Sequence, residues 1–174
     1  MKKIILLLLL LFSLNLHAQK VAGVWMGATY ETCKIVLDNR FNGGEQSFQL
    51  TANEISYRNV TFANQKFDSV TFYFQSDGER TYLYRIIFLR YFPKDFSKEA
   101  MYIRDELKDL YEENYDTYEW WIPEGNPYKC YKFYNDNTDS FYCTIILFPS
   151  SWEGKKEITL TLSYKHTNYI EDDI

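Results

Sequence analysis

Residues 67–115 read FDSVTFYFQSDGERTYLYRIIFLRYFPKDFSKEAMYIRDELKDLYEENY, and this stretch decides the fold. Val70, Phe72 and Phe74 alternate with Thr71, Tyr73 and Gln75, the two-residue period of a strand with one buried side. Asp77-Gly78 marks a turn. Residues 81–92 are dense in aromatic and β-branched side chains and form the returning strand of a hairpin with its loop at 76–80. The period then changes. Phe96, Ala100, Ile103, Leu107 and Leu110 recur at three- and four-residue spacing, which predicts a helix starting near Ser97 that lays one apolar stripe on the sheet. Phe96 and Met101 stand at its staple positions. Lys98, Asp105, Lys108, Asp109 and Glu112 fall on the outer side, a solvated face with charge pairs three and four residues apart.

Upstream, Val21, Val24 and Trp25 anchor a lead-in, and Thr29 is placed to cap a helix whose stripe is Cys33, Val36, Leu37 and Phe41. Asn42-Gly43-Gly44 stops it. Weaker strands follow around 47–50 and 55–62. Downstream, strands are expected at 118–122, 128–134, 141–148 and 157–166. The last has the cleanest pattern, with Ile158, Leu160, Leu162 and Tyr164 on one side and Thr159, Thr161, Ser163 and Lys165 on the other. The expected fold class is α+β: a two-layer sandwich in which an antiparallel sheet carries two helices on one face, in the order α-βββ-α-βββ(β).

Lys2 and Lys3 precede an apolar run from Ile4 to Leu14, and Ala18 precedes Gln19, the pattern of a secretory signal peptide over residues 1–18. The run is too short and too broken by Ser13 and Asn15 for a membrane span, and no cysteine follows the cleavage point to carry a lipid. The product expected is an exported protein, periplasmic or extracellular, neither spanning a membrane nor lipid-anchored. Residues 19–174 then form a single domain, with halves at about 19–92 and 93–167 and an acidic tail at 168–174. Of 19 basic residues, the loss of Lys2 and Lys3 leaves 17 against 24 acidic ones, a net charge of −7. Scattered Lys and Arg on an acidic chain argue against nucleic acid as partner.

The segment from Gly23 through Trp25, Thr29 and Cys33 to Lys34 resembles the opening of many small exported bacterial envelope proteins, while the hairpin from Val70 through Asp77-Gly78 to Ile86 and Phe88, the helix containing Ala100 and Leu107, and the strand Ile158 to Tyr164 resemble the uncharacterised secreted α+β proteins common in Bacteroidetes. More remotely, the helix-plus-meander plan, done twice, is similar to small outer-membrane assembly lipoproteins and to secreted β-lactamase inhibitor proteins. The lipobox cysteine of the former is missing here. The resemblance implies a fold and leaves function open.

Little catalytic chemistry is legible. His166 is the one histidine after His17 leaves with the leader, which excludes histidine-rich metal sites and mechanisms needing two imidazoles. Asn135, Asp136, Asn137, Thr138 and Asp139 superficially resemble a calcium loop without its glycine and closing glutamate, and read better as a polar hairpin loop. No cofactor or metal is expected. Glu112, Glu113, Asp116, Glu119 and Glu124 gather after the second helix, where two acids across a cleft could hydrolyse a glycan. The aromatic run from Tyr111 to Tyr142 is the one feature that invites a binding role. Adjacent strand residues face opposite ways, so Trp120 and Trp121 cannot both be buried in two layers. The candidate binding residues are therefore Tyr118, Glu119, Trp120, Trp121 and Tyr128.

Cys130 and Cys143 flank the 135–138 turn symmetrically, where a disulfide could form across the hairpin. A register shifted by one residue pairs Tyr131 with Cys143 and Phe133 with Phe141 and turns Cys130 to the other face. The leading expectation is a non-catalytic module that binds an envelope or extracellular protein or glycan through the outer sheet face and the aromatic loop region. A small glycan hydrolase and a secreted enzyme inhibitor are the alternatives.

Overall fold

The computed structural model describes residues 20–41, 47–48, 51, 53–76, 78–134, 141–152 and 154–166. The leader, the polar loop at 135–139 and the acidic tail lie outside the described residues. The fold is α+β, dominated by antiparallel sheet, with two α-helices among the described residues. A small hairpin, β1 (Lys20–Val21) and β2 (Val24–Trp25), turns through Ala22 and Gly23, both at positive φ. Helix α1 (Tyr30–Arg40) follows, and then four strands: β3 (Ser47–Phe48), β4 (Glu54–Phe62), β5 (Gln65–Ser76) and β6 (Thr81–Pro93). Helix α2 (Ser97–Glu112) leads into four more: β7 (Thr117–Trp121), β8 (Cys130–Tyr134), β9 (Phe141–Trp152) and β10 (Lys155–His166). One eight-stranded sheet collects them in the order β3-β4-β5-β6-β10-β9-β8-β7, antiparallel at every described pairing. Among the described residues four strands follow each helix, where three were expected after the first and three or four after the second.

Local chemistry sets these bounds. The Thr29 hydroxyl accepts from the Thr32 amide at 3.4 Å and caps α1 as expected. Ala63 and Asn64, both at positive φ, make the two-residue β4–β5 turn that suits the sheet's twist. Helix α2 departs from expectation. It enters through a 3₁₀ turn at Lys94–Phe96 and has no side-chain cap, Phe96 is 51% exposed and Leu110 38% exposed. Its buried stripe is Ala100, Ile103, Arg104, Leu107 and Tyr111, a helical face rotated toward Arg104 and Tyr111. Tyr111 wins the place because its ring lies within 6.1 Å of Tyr164 and 5.8 Å of Phe133, while its hydroxyl bonds that of Tyr164.

The register sorts sheet side chains into transverse rows. One row runs Tyr57, Val70, Phe88, Leu162, Ile145, Tyr131 and Trp120, all but the last buried. The next, on the opposite face, runs Ser56, Thr71, Ile87, Ser163, Thr144, Lys132 and Glu119. We call these the apolar face and the mixed face. Just after α1, its C-cap residue Phe41 packs on Tyr57 at 4.8 Å; from α2, Tyr111 packs on Tyr164 and Phe133. Between Tyr73 and Phe74 the β5–β6 register slips, leaving Tyr84 as the extra residue of a bulge.

Asp38 ties α1 to the sheet. Its Oδ1 accepts from the Tyr57 hydroxyl at 2.7 Å and its Oδ2 pairs with Lys34 Nζ at 2.6 Å. Burial alone would raise this carboxyl, but hydrogen bonds from Lys34 and Tyr57 and the Lys34 charge outweigh it and hold the pKa below the ordinary 3.8. A folded pKa below the unfolded one means that the stabilisation is present above the unfolded value and is lost as pH falls through the folded one. The melting temperature of the wild type should exceed that of Asp38→Asn by a constant margin above about pH 5, and the margin should shrink below about pH 4. A margin unchanged in thermal scans down to about pH 2 would remove the ion pair from the account.

Candidate functional site

Strand β7 forms one edge of the sheet, and its alternation divides the expected binding residues between two sides. Tyr118 and Trp120 lie opposite Phe133 and Tyr131, on the apolar-face side. Glu119 and Trp121 lie opposite Lys132 and Cys130, on the mixed side. Trp120 is the exposed tryptophan at 55%, and Trp121 is half-buried. Both exposed aromatics already carry a cation: Lys129 Nζ sits 4.2 Å from the centre of the Trp120 ring and Lys108 Nζ 5.4 Å from that of Tyr118. Glu119 pairs with Lys132 across the strands at 3.4 Å, an exposed pair of small energetic weight. Tyr128 packs its ring against the core, and its amide donates to Asn126 Oδ1 at 3.1 Å. Asn126 in turn donates to the Leu147 carbonyl at 2.8 Å and holds the 122–129 connection against β9. The five residues therefore do not converge on one concave site.

The cysteine expectation is corrected. Cys33, Cys130 and Cys143 are all free and buried. The register pairs Cys143 with Phe133 and Cys130 with Trp121, two residues beyond the shifted alternative considered from sequence, and puts the two sulfurs on opposite faces. No bridge can span that arrangement.

The sequence expectation names an outer sheet face for binding without assigning residues to it. Ser56, Thr71, Thr144, Thr159 and Ser163 are all buried there. Hydroxyls pair with hydroxyls, Ser56 with Thr71 at 3.0 Å and Ser150 with Thr159 at 2.7 Å. Longer side chains border these short ones in the neighbouring rows. Leu89 and Ile146 flank the hydroxyl row on one side, and Tyr73, Arg85, Lys165 and Tyr142 on the other, all half-buried. The signal was present in β6, where Ile87 and Leu89 make the second face apolar as well.

At one end of this face a cavity of about 440 Å³ is lined by Tyr91, Ser150, Ser151 and Glu157. The Tyr91 amide donates to Asp68 Oδ2 at 2.7 Å. Burial first, then the Asp68 and Glu157 charges, raise the Tyr91 phenol. A second cavity, of about 330 Å³, opens beside the C-terminal ends of α1 and α2. The five sequence candidates line neither. Among the described residues, no group of three or more His, Cys, Asp or Glu side chains is placed to hold a metal ion, and no helix is long and apolar enough to cross a membrane. The His166 backbone pairs with Phe141 at the end of β10.

No family model, characterised protein or solved structure matches this chain.

Proposed function

We propose that the chain is an exported, non-catalytic binding module, built as a two-layer sandwich with both helices on the apolar face, and that it engages another envelope or extracellular protein through the mixed face. One observation carries this reading. Tyr73, Arg85, Ile87, Leu89 and Ile146 form a contiguous, half-buried surface over a floor of buried hydroxyls, while the ring contacts of both helices lie on the other side of the sheet. Aromatic, aliphatic and Arg side chains on a pre-ordered sheet are the composition of interface centres. The 440 Å³ cavity at the end of that surface offers a place for one projecting side chain. The hydrolase alternative has weaker support, because Glu119 is tied to Lys132 and the flanking Trp120 is covered by Lys129.

A photo-crosslinking amino acid at Ile87 should capture a discrete heavier species in cell-envelope extracts. The same group at Tyr102, exposed on the outer side of α2, should not. Capture from Tyr102 and none from Ile87 would overturn the assignment of the binding face.

A further inference from the structure

The 330 Å³ cavity lies on the other side of the sheet and has its own chemistry. Its size is at the lower end of ligand pockets, which run from about 300 to 1,000 Å³. Phe62, Tyr111, Tyr115 and Tyr164 supply a run of contiguous rings: Phe62 meets Tyr164 edge-on at 6.2 Å, and Tyr111 stacks on Tyr115 at 5.9 Å. The Tyr111 and Tyr164 hydroxyls bond each other, which leaves ring carbon as what these two side chains offer the cavity.

Lys20 and Arg40 supply the remaining charge. Neither forms an ion pair among the described residues, and none of the described lining residues is acidic. Arg40 ends α1, while Leu110, Tyr111 and Asn114 come from the last turn of α2 and just beyond it. Two helix C-termini thus bring about −0.5 of an elementary charge each, against two full positive charges. The balance favours an anion. A guanidinium and an ammonium lining one cavity suit a carboxylate, which can take two parallel hydrogen bonds from the Arg fork.

We infer that this cavity binds a small amphiphilic carboxylate, its apolar body against the half-buried rings of Phe62 and Tyr115, with Tyr111 and Tyr164 as the floor behind them, and its carboxylate toward Lys20 and Arg40. This site is independent of the mixed face, and either assignment can fail without the other.

Titration calorimetry of the purified protein with octanoate, octanol and octylammonium tests it. Octanoate should bind saturably, and at least about tenfold more tightly than either of the others. The double variant Lys20→Gln/Arg40→Gln should lose about tenfold in octanoate affinity while octanol binding holds. Leu110→Trp, at an exposed helix position where the fold tolerates bulk, should fill the space and abolish binding of both. Amide shifts on octanoate addition should cluster at Ala63, Tyr111 and Tyr115. Octanoate binding no tighter than octanol, affinity unchanged by Leu110→Trp, or shifts centred on Tyr91 and Ser150 would each overturn the inference.

Discussion

Phe88→Ala should destabilise the protein by about 3–5 kcal/mol, the range for truncating a fully buried aromatic ring. Phe88 has no exposed surface and lies at the middle of the apolar face, with ring centres of Phe62 at 4.4 Å, Phe67 at 5.3 Å and Tyr164 at 6.3 Å. Removing it leaves a cavity walled by three aromatic rings that cannot close without moving strands on either side. Against a typical total stability of about 5–15 kcal/mol, the loss should lower the melting temperature by roughly 6–20 °C. Denaturant titration should show a lower midpoint with an unchanged slope, the sign that stability and not the unfolded state has altered. Tyr91→Ala, at a 47% exposed position on the mixed face, is the control and should cost less than about 1 kcal/mol. Equal costs at the two positions would mean that the faces are wrongly assigned.

The second large effect is on thiol reactivity. Burial pushes Cys33 from an ordinary 9.0 to about 12, which cuts its thiolate population about a thousandfold at neutral pH. Burial raises Cys143 still more decisively. Cys130 is raised by burial as well, against smaller opposing effects of the Leu147 backbone and Arg104. The native protein should leave Ellman's reagent unreacted on the timescale of minutes, and denaturant without reductant should release three equivalents of thiol. One equivalent in denaturant would reveal a disulfide and contradict the register that separates Cys130 from Cys143.

Much of the fold was legible because its signals are local. The strict alternation from Ile158 to Lys165 reports β10 directly, and Thr29 reports the start of α1. What the sequence could not carry was non-local. The stripe on α2 depends on which partner rings stand below it, and Tyr164 and Phe133 drew Tyr111 inward while Phe96 stayed exposed. The Cys130–Cys143 hairpin has a loop long enough to permit several registers, and apolar matching alone did not choose among them. The candidate site shows the same division. Period-two reasoning required Trp120 and Trp121 to part, yet the Lys129 and Lys108 ammonium groups that cover Trp120 and Tyr118 come from neighbouring segments. The mixed face was less visible still, since Ser and Thr alternating with aliphatics look like an ordinary solvent face until the register stacks them into one row.

The position of β10 governs how the molecule can come into being. It is the last described strand, yet it sits in the middle of the sheet and binds β6 from Lys165 opposite Arg85 to Glu157 opposite Pro93. Until it is synthesised, β6 and β9 each present a long unpaired edge to whatever chain is nearby. Contacts so distant in sequence are also slow to form. A nascent or truncated chain ending before residue 155 would thus be two half-sheets, each able to recruit foreign strands, and final closure must wait for the arrival of the C-terminal strand.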